Sequence, residues 1–308
     1  MDRLKWIFVG ARGLRAGWRF ALFLALFVAG GWGLDWLLEK IHLADRGFTW
    51  NGLLWGELQD FALVAAVAWI ISKIAREPYS SYGLPLRKGA GGLFLKGLVW
   101  GFIPSALILV PIYLGGGCSF HGLALPFREM IFYACAWALG FLAVGFAEEF
   151  LFRGCAQKAL GEAIGFWPAA VALSSIFGLV HLIFKPHEDW IDPASVALYG
   201  IFWCLTLRRT GSLWFAVGFH AASDYADMVV FAEPNSGNDG KPLIGHLLDV
   251  RFHGPDWMTG GPRGTEASLF VFAVLAGLFY FFDKAYRAQP GSAAASREVE
   301  SMHGSGSR

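Results

Sequence analysis

The chain has 308 residues, 56% of them hydrophobic and only 16% charged, against roughly 25% charged in an ordinary soluble domain. A mean hydropathy of +0.48 leaves too little polar surface for a dissolved globule of this length and far too much apolar content for disorder. The 25 basic and 24 acidic residues nearly cancel, so no basic field draws in nucleic acid. What remains is an all-α, polytopic membrane protein whose first partner is the lipid bilayer. Its four cysteines, Cys118, Cys135, Cys155 and Cys204, show no CxxC spacing and suggest neither a disulfide framework nor a zinc knuckle.

A helix needs about 20 mostly apolar residues to cross the roughly 30 Å hydrocarbon layer. With charges read as boundaries, eight spans are predicted, at about 17–38, 53–75, 93–114, 129–153, 167–185, 194–208, 212–231 and 268–286. The first is too long for a cleaved signal and lacks a small-x-small cleavage site. Glu57 and Asp60 fall in the first turns of the second. Pro111 and the Gly115-Gly116-Gly117 run end the third, and the sixth is held short between Pro193 and Arg208-Arg209. Segment 232–266, rich in Gly, Pro and Asp, reads as one long external loop, and 289–308 as a disordered tail. Outside the spans little organisation is expected. No internal repeat is visible, which disfavours inverted-repeat transporter architectures.

The charges orient these spans. Counted on alternate sides, 18 of the 25 Lys and Arg fall on the side of the two termini, which places both termini in the cytoplasm by the positive-inside rule. The expected organisation is two N-terminal spans (1–80), a membrane core (81–231), the external loop (232–266), a last span (267–288) and the tail (289–308).

Ionisable residues inside spans cost several kcal/mol unless they are paired or serve water. Span four ends Glu148-Glu149-Phe150-Leu151-Phe152-Arg153, span five carries Phe177 and His181, and span seven carries His220, Asp224 and Asp227. If helix four continues to Leu160 and helix five restarts at Pro168, Glu148 and His181 each stand about 20 Å from the intervening turn, at 1.5 Å per residue. Counted from Ser212, His220 comes at about 12 Å and Asp224 at about 18 Å. Their common height points to one site, expected in the cytoplasmic half of the membrane. Glu149 and Arg153 have the Glu-then-basic i, i+4 order and can equally pair at the interface. His121, His187, His246 and His253 fall in external loops, and His303 in the tail.

Carboxylates and imidazoles together in a water-poor cavity suit general-base activation of water. Two histidines and a carboxylate can also hold zinc, although no H-E-x-x-H motif is present.

The set Glu148-Glu149-x-x-x-Arg153, Phe177-x-x-x-His181 and His220-x-x-x-Asp224 resembles the CAAX protease and bacteriocin-processing (CPBP, or abortive-infection) family of intramembrane endopeptidases. Its best-known branch is the type II CAAX prenyl endopeptidase. The stretch Leu207-Arg208-Arg209-Thr210-Gly211-Ser212-Leu213-Trp214 is similar to that family's linker, and the likeness covers about residues 80–231. The resemblance implies hydrolysis of a peptide or protein substrate at the cell membrane. It makes Glu148 the water-activating carboxylate working with His181, and Glu149 its support. His220 and Asp224 take the oxyanion or metal side. Arg153 orients the glutamates or binds substrate at the cytoplasmic rim, and Phe177 is a substrate-binding or structural residue.

Asp224 stands where the family often has Asn. An ionised Asp cannot donate to an oxyanion, so a ligand or His-orienting role gains weight. Zinc is a candidate cofactor, with Glu148, His181, His220 and Asp224 its candidate ligands; a metal-free water is the alternative. Two other functions stay open: a proton- or ion-coupled transporter, and a catalytically silent membrane scaffold or immunity protein.

Overall fold

The computed structural model describes residues 7–10, 13–41, 47–187 and 189–287. The predicted tail, His303 and the basic residues Arg3, Lys5, Arg12, Arg46, Arg297 and Arg308 lie outside the described residues. Helices occupy all eight predicted spans: α1 (Ala16–Lys40), α2 (Trp50–Ala75), α3 (Ala90–Leu114), α4 (Phe127–Glu149) with α5 (Gln157–Ile164), α6 (Phe166–Phe184), α7 (Ile191–Thr210), α8 (Trp214–Asp224) and α9 (Phe270–Ala285). Among the described residues, five helical stretches are long and apolar enough to cross a membrane: α1, α2, α3, the α4–α5 unit and α6. This is an all-α polytopic membrane protein. Trp32, 75% exposed on α1, and Phe281, 63% exposed on α9, are at home on faces that meet hydrocarbon rather than water.

Helix four does run on past Arg153. A π-helical turn, Phe150–Ala156, joins α4 to α5 and bends at Gly154, whose ψ is −111°. A second π turn, Tyr225–Val230, extends α8. Each begins at the residue after a site carboxylate, Glu149 in one and Asp224 in the other, and such turns are frequent at functional sites. Helix five starts at Phe166, two residues ahead of the expected Pro168, because Gly165 at φ 97° ends the preceding helix and lets the chain reverse at once.

Close packing of α3 on α8 fixes the height of the site. A Cβ on Gly97 would stand 2.2 Å from the carbonyl oxygen of Phe215, and one on Gly101 2.1 Å from that of Phe219. Gly218 answers from α8, its Cβ position 2.3 Å from the carbonyl of Phe94. Small residues of this kind let two backbones touch where lipid gives no hydrophobic drive to pack. Gly101→Ala is therefore expected to push α8 away and destabilise the protein by about 1–3 kcal/mol. Thermal unfolding in detergent checks this, and an unchanged midpoint would contradict the close approach.

Two regions outside the spans are more organised than composition suggested. Strand β1 (Cys118–Leu123) pairs antiparallel with β2 (Leu248–Phe252), tying the α3–α4 connection to the 232–266 segment. That segment is further held by the buried Glu233, which accepts the backbone N–H of Thr265 at 2.8 Å. The expectation of an unorganised loop is thus corrected: backbone pairing between distant segments leaves no signature in local composition. At the other end of the helices, Glu77 binds both Arg19 (3.0 Å) and Lys158 (3.2 Å), clamping α1 to α5. These two cations, which the sequence offered only as orienting charges, therefore also join helices.

Candidate active site

Helix α4 and the two helices that run opposite to it, α6 and α8, bring the polar groups together. Helix α4 delivers Glu148 and Glu149 at its end, α6 delivers His181 one turn from its own end, and α8 delivers His220 and Asp224 one turn apart. Glu148, His181, His220 and Asp224 all line one cavity of about 250 Å³. His220 is its pivot. Its Nδ1 is 2.9 Å from Glu149 Oε1, while its Nε2 stands 3.6 Å from both Glu148 Oε2 and Asp224 Oδ2. The Nδ1 of His181 is 2.9 Å from the carbonyl oxygen of Phe177. That bond requires a proton on Nδ1, so in the neutral ring Nε2 carries the lone pair.

Glu149 and Arg153 do not form the interface pair that their spacing permitted. Glu149 is 0% and Arg153 1% exposed, with Nη1 of the arginine 3.1 Å from Oε1 of the glutamate. The guanidinium carbon lies 4.7 Å from the centre of the Phe177 ring and 5.0 Å from that of Trp203. A Cβ on Gly200 would meet Nη2 of Arg153 at 2.3 Å, so the bare backbone of α7 makes room for the side chain. The bend at Gly154 accompanies the inward course of Arg153, whose side chain is enclosed beside Glu149. Phe177 is buried beneath Arg153, edge-on to His181 at 4.7 Å, and also lines the cavity.

Sequence reasoning missed Trp203, whose ring stacks on His220 at 4.3 Å and 12°. It also left Lys185 as a boundary charge and Glu57 as an awkward acid in span two, yet both line the cavity, as do Asp227 and Glu266. A tryptophan in an apolar span carries no signal of its own. Glu57 did carry one, since an acid early in a span needs a purpose. Among the described residues, His121, His187, His246 and His253 are absent from the lining.

The cavity does not lie where the site was expected along the membrane normal. Its walls include Phe48, Lys185, Asn235 and Glu266, which belong to connections at the ends of the helices away from the Gly165 and Gly211 turns. These walls set the cavity toward the helix ends opposite those turns, whereas the sequence predicts a site in the half that carries the termini.

Zinc requires three or four donors about 2.0–2.3 Å from one point. Among the described residues no group of three His, Cys, Asp or Glu side chains is arranged to hold a metal. His220 commits one nitrogen to Glu149, and Lys185 adds a positive charge to the same cavity. The expected zinc set of Glu148, His181, His220 and Asp224 thus lines one wall space without converging on a point, and no step below passes through a metal.

In the 232–266 segment, burial pushes the Glu233 carboxyl up to about 7 and, with help from Asp192, the Glu266 carboxyl up to about 8. Both folded values exceed the unfolded ones, so the native state holds protons that the unfolded chain has released. The stability these groups contribute is complete below about pH 4.5 and is lost as pH rises through about 7 and 8. The unfolding midpoint should therefore fall between pH 5.5 and pH 8.5, and Glu266→Gln should flatten that slope. A midpoint that rises over this interval would contradict the buried, proton-holding environment.

Residues 130–226 match the family model described as type II CAAX prenyl endopeptidase Rce1-like. The matched segment contains Glu148, Glu149, Arg153, His181, His220 and Asp224. Comparison with curated proteins and with solved structures found no match.

Proposed function

We propose that this protein is an intramembrane endopeptidase of CAAX-protease type that hydrolyses a peptide bond with water activated by Glu148 and His181. The observation that carries this reading is the bracketing of His220 Nε2 by Glu148 and Asp224, at 3.6 Å each, in a cavity that also holds His181. A water between Glu148 and His181 donates one hydrogen bond to the free Nε2 of the imidazole and yields its other proton to the carboxylate. The resulting hydroxide adds to the substrate carbonyl. Doubly protonated His220 donates from Nδ1 to Glu149 and offers its Nε2–H to the oxyanion, where charge develops. Glu148 then delivers its proton to the departing amine. Asp224, an acceptor, balances the charge of His220 rather than touching the oxyanion.

On the charge count, both termini lie in the cytoplasm and the cavity faces the outer half of the cell membrane, open toward segment 232–266. Reporter fusions at residue 240 and after residue 287 should report opposite sides; the same side for both would refute this orientation. The test of the activity is cleavage of a peptide mixture by the purified full chain in proteoliposomes, read by mass spectrometry, with Glu148→Ala as control. Cleavage that depends on Glu148 supports the endopeptidase. Ion or proton flux without cleavage replaces it with the transporter reading, and neither activity leaves the scaffold.

A further inference from the structure

The catalytic reading uses Glu148 and Asp224 but leaves the far end of the cavity unexplained. There α8 continues into its π turn, and Asp227, three residues past Asp224, lines the cavity while only 7% exposed. Its Oδ1 has no hydrogen-bond partner in the protein, and the hydroxyl of Ser105 is the neutral polar group that acts on this carboxyl. Glu266, presented by the 3-10 turn Thr265–Ala267, lines the same end. The surroundings of this pair are acidic as well. Glu233 and Asp224 act on both carboxyls, Asp192 acts on Glu266, and Lys185 is the cation that opposes them at Glu266. One lysine does not offset this many acids, and each further carboxyl ionised out of water costs several kcal/mol. A substrate that brings its own positive charge recovers that cost, whereas an acidic one adds to it.

Resting on the reading of this cavity as a peptidase site, we infer that Asp227 and Glu266 form a specificity pocket for a lysine or arginine side chain of the substrate peptide. Asp227 follows Asp224 by three residues within the π turn, less than one turn away. A basic side chain one or two residues from the bond cleaved spans that interval while its carbonyl lies at His220. Deprotonation of Glu266, which burial holds back to about 8, strengthens the pocket as pH rises.

The test measures binding, so that it does not depend on cleavage. Fluorescein-labelled hexapeptides carrying Lys, Gln or Glu at each position in turn are titrated into the purified full chain in detergent, and anisotropy is read. At one position Lys should bind roughly tenfold tighter than Gln, and Glu weaker than either. The Lys-to-Gln ratio should grow from pH 6 to pH 9 in the wild type, a readout that needs no variant to fold. In Glu266→Gln and in Asp227→Asn the ratio should fall toward one. Equal binding of Lys and Gln peptides, no binding of any peptide, or a ratio that survives both substitutions would overturn the pocket. Preferential binding without cleavage upholds the pocket and rejects the catalytic proposal; cleavage without preference does the reverse.

Discussion

Glu148→Gln is expected to lower peptide cleavage by about 10²–10⁴-fold, the usual cost of removing a general base. The amide keeps the size of the side chain and can still hydrogen-bond toward His220, but it cannot take a proton from water. The loss should fall on kcat, with KM little changed, since Glu148 activates the water and does not hold the peptide. His181→Ala should be comparably damaging, because Nε2 is the acceptor left by the Phe177 carbonyl bond. Asp224→Asn should be milder, as it leaves both Glu148 and His181 in place. Exhaustive chelation should leave the rate unchanged, because every step is assigned to a side chain or water. Full activity in Glu148→Gln would reject the mechanism.

Arg153→Ala should be the most destabilising single change at the site. The guanidinium is buried against Phe177 and Trp203, and its partner Glu149 is fully enclosed. Removing one member of a buried ion pair strands the other charge and costs about 3–5 kcal/mol. The His220 bond to Glu149 remains, but it cannot replace both the charge and the packing of the lost side chain. The double change Glu149→Gln with Arg153→Met should recover part of the stability, since it removes the stranded charge and refills the space. Thermal unfolding followed by tryptophan fluorescence decides the matter. A midpoint for Arg153→Ala within a degree of wild type would show that the pair contributes nothing.

Several features of the site were legible because membrane insertion penalises charge so steeply. Glu148, Glu149, His181, His220 and Asp224 stood out against apolar spans, and counting 1.5 Å per residue placed them at one height. Zinc was a fair expectation from residue types alone, yet ligand geometry depends on where Glu149 and Arg153 draw His220. The i, i+4 spacing of Glu149 and Arg153 is identical for a surface pair and a buried one. Only the neighbours Phe177, Gly200 and Trp203, all brought from other helices, distinguish the two.

By itself the sequence determined the solvent, the helices and the polar residues each helix had to explain. These follow from local quantities: apolar length against membrane thickness, and the cost of an ion in hydrocarbon. The tertiary structure decided which face of each helix meets which. It seated α3 on α8 through Gly97, Gly101 and Gly218, stacked Trp203 on His220, and drew Asp227 and Glu266 into one end of the cavity. Contacts between residues far apart in the chain depend on shape complementarity between whole helices. No window of sequence short enough to show periodicity contains both partners.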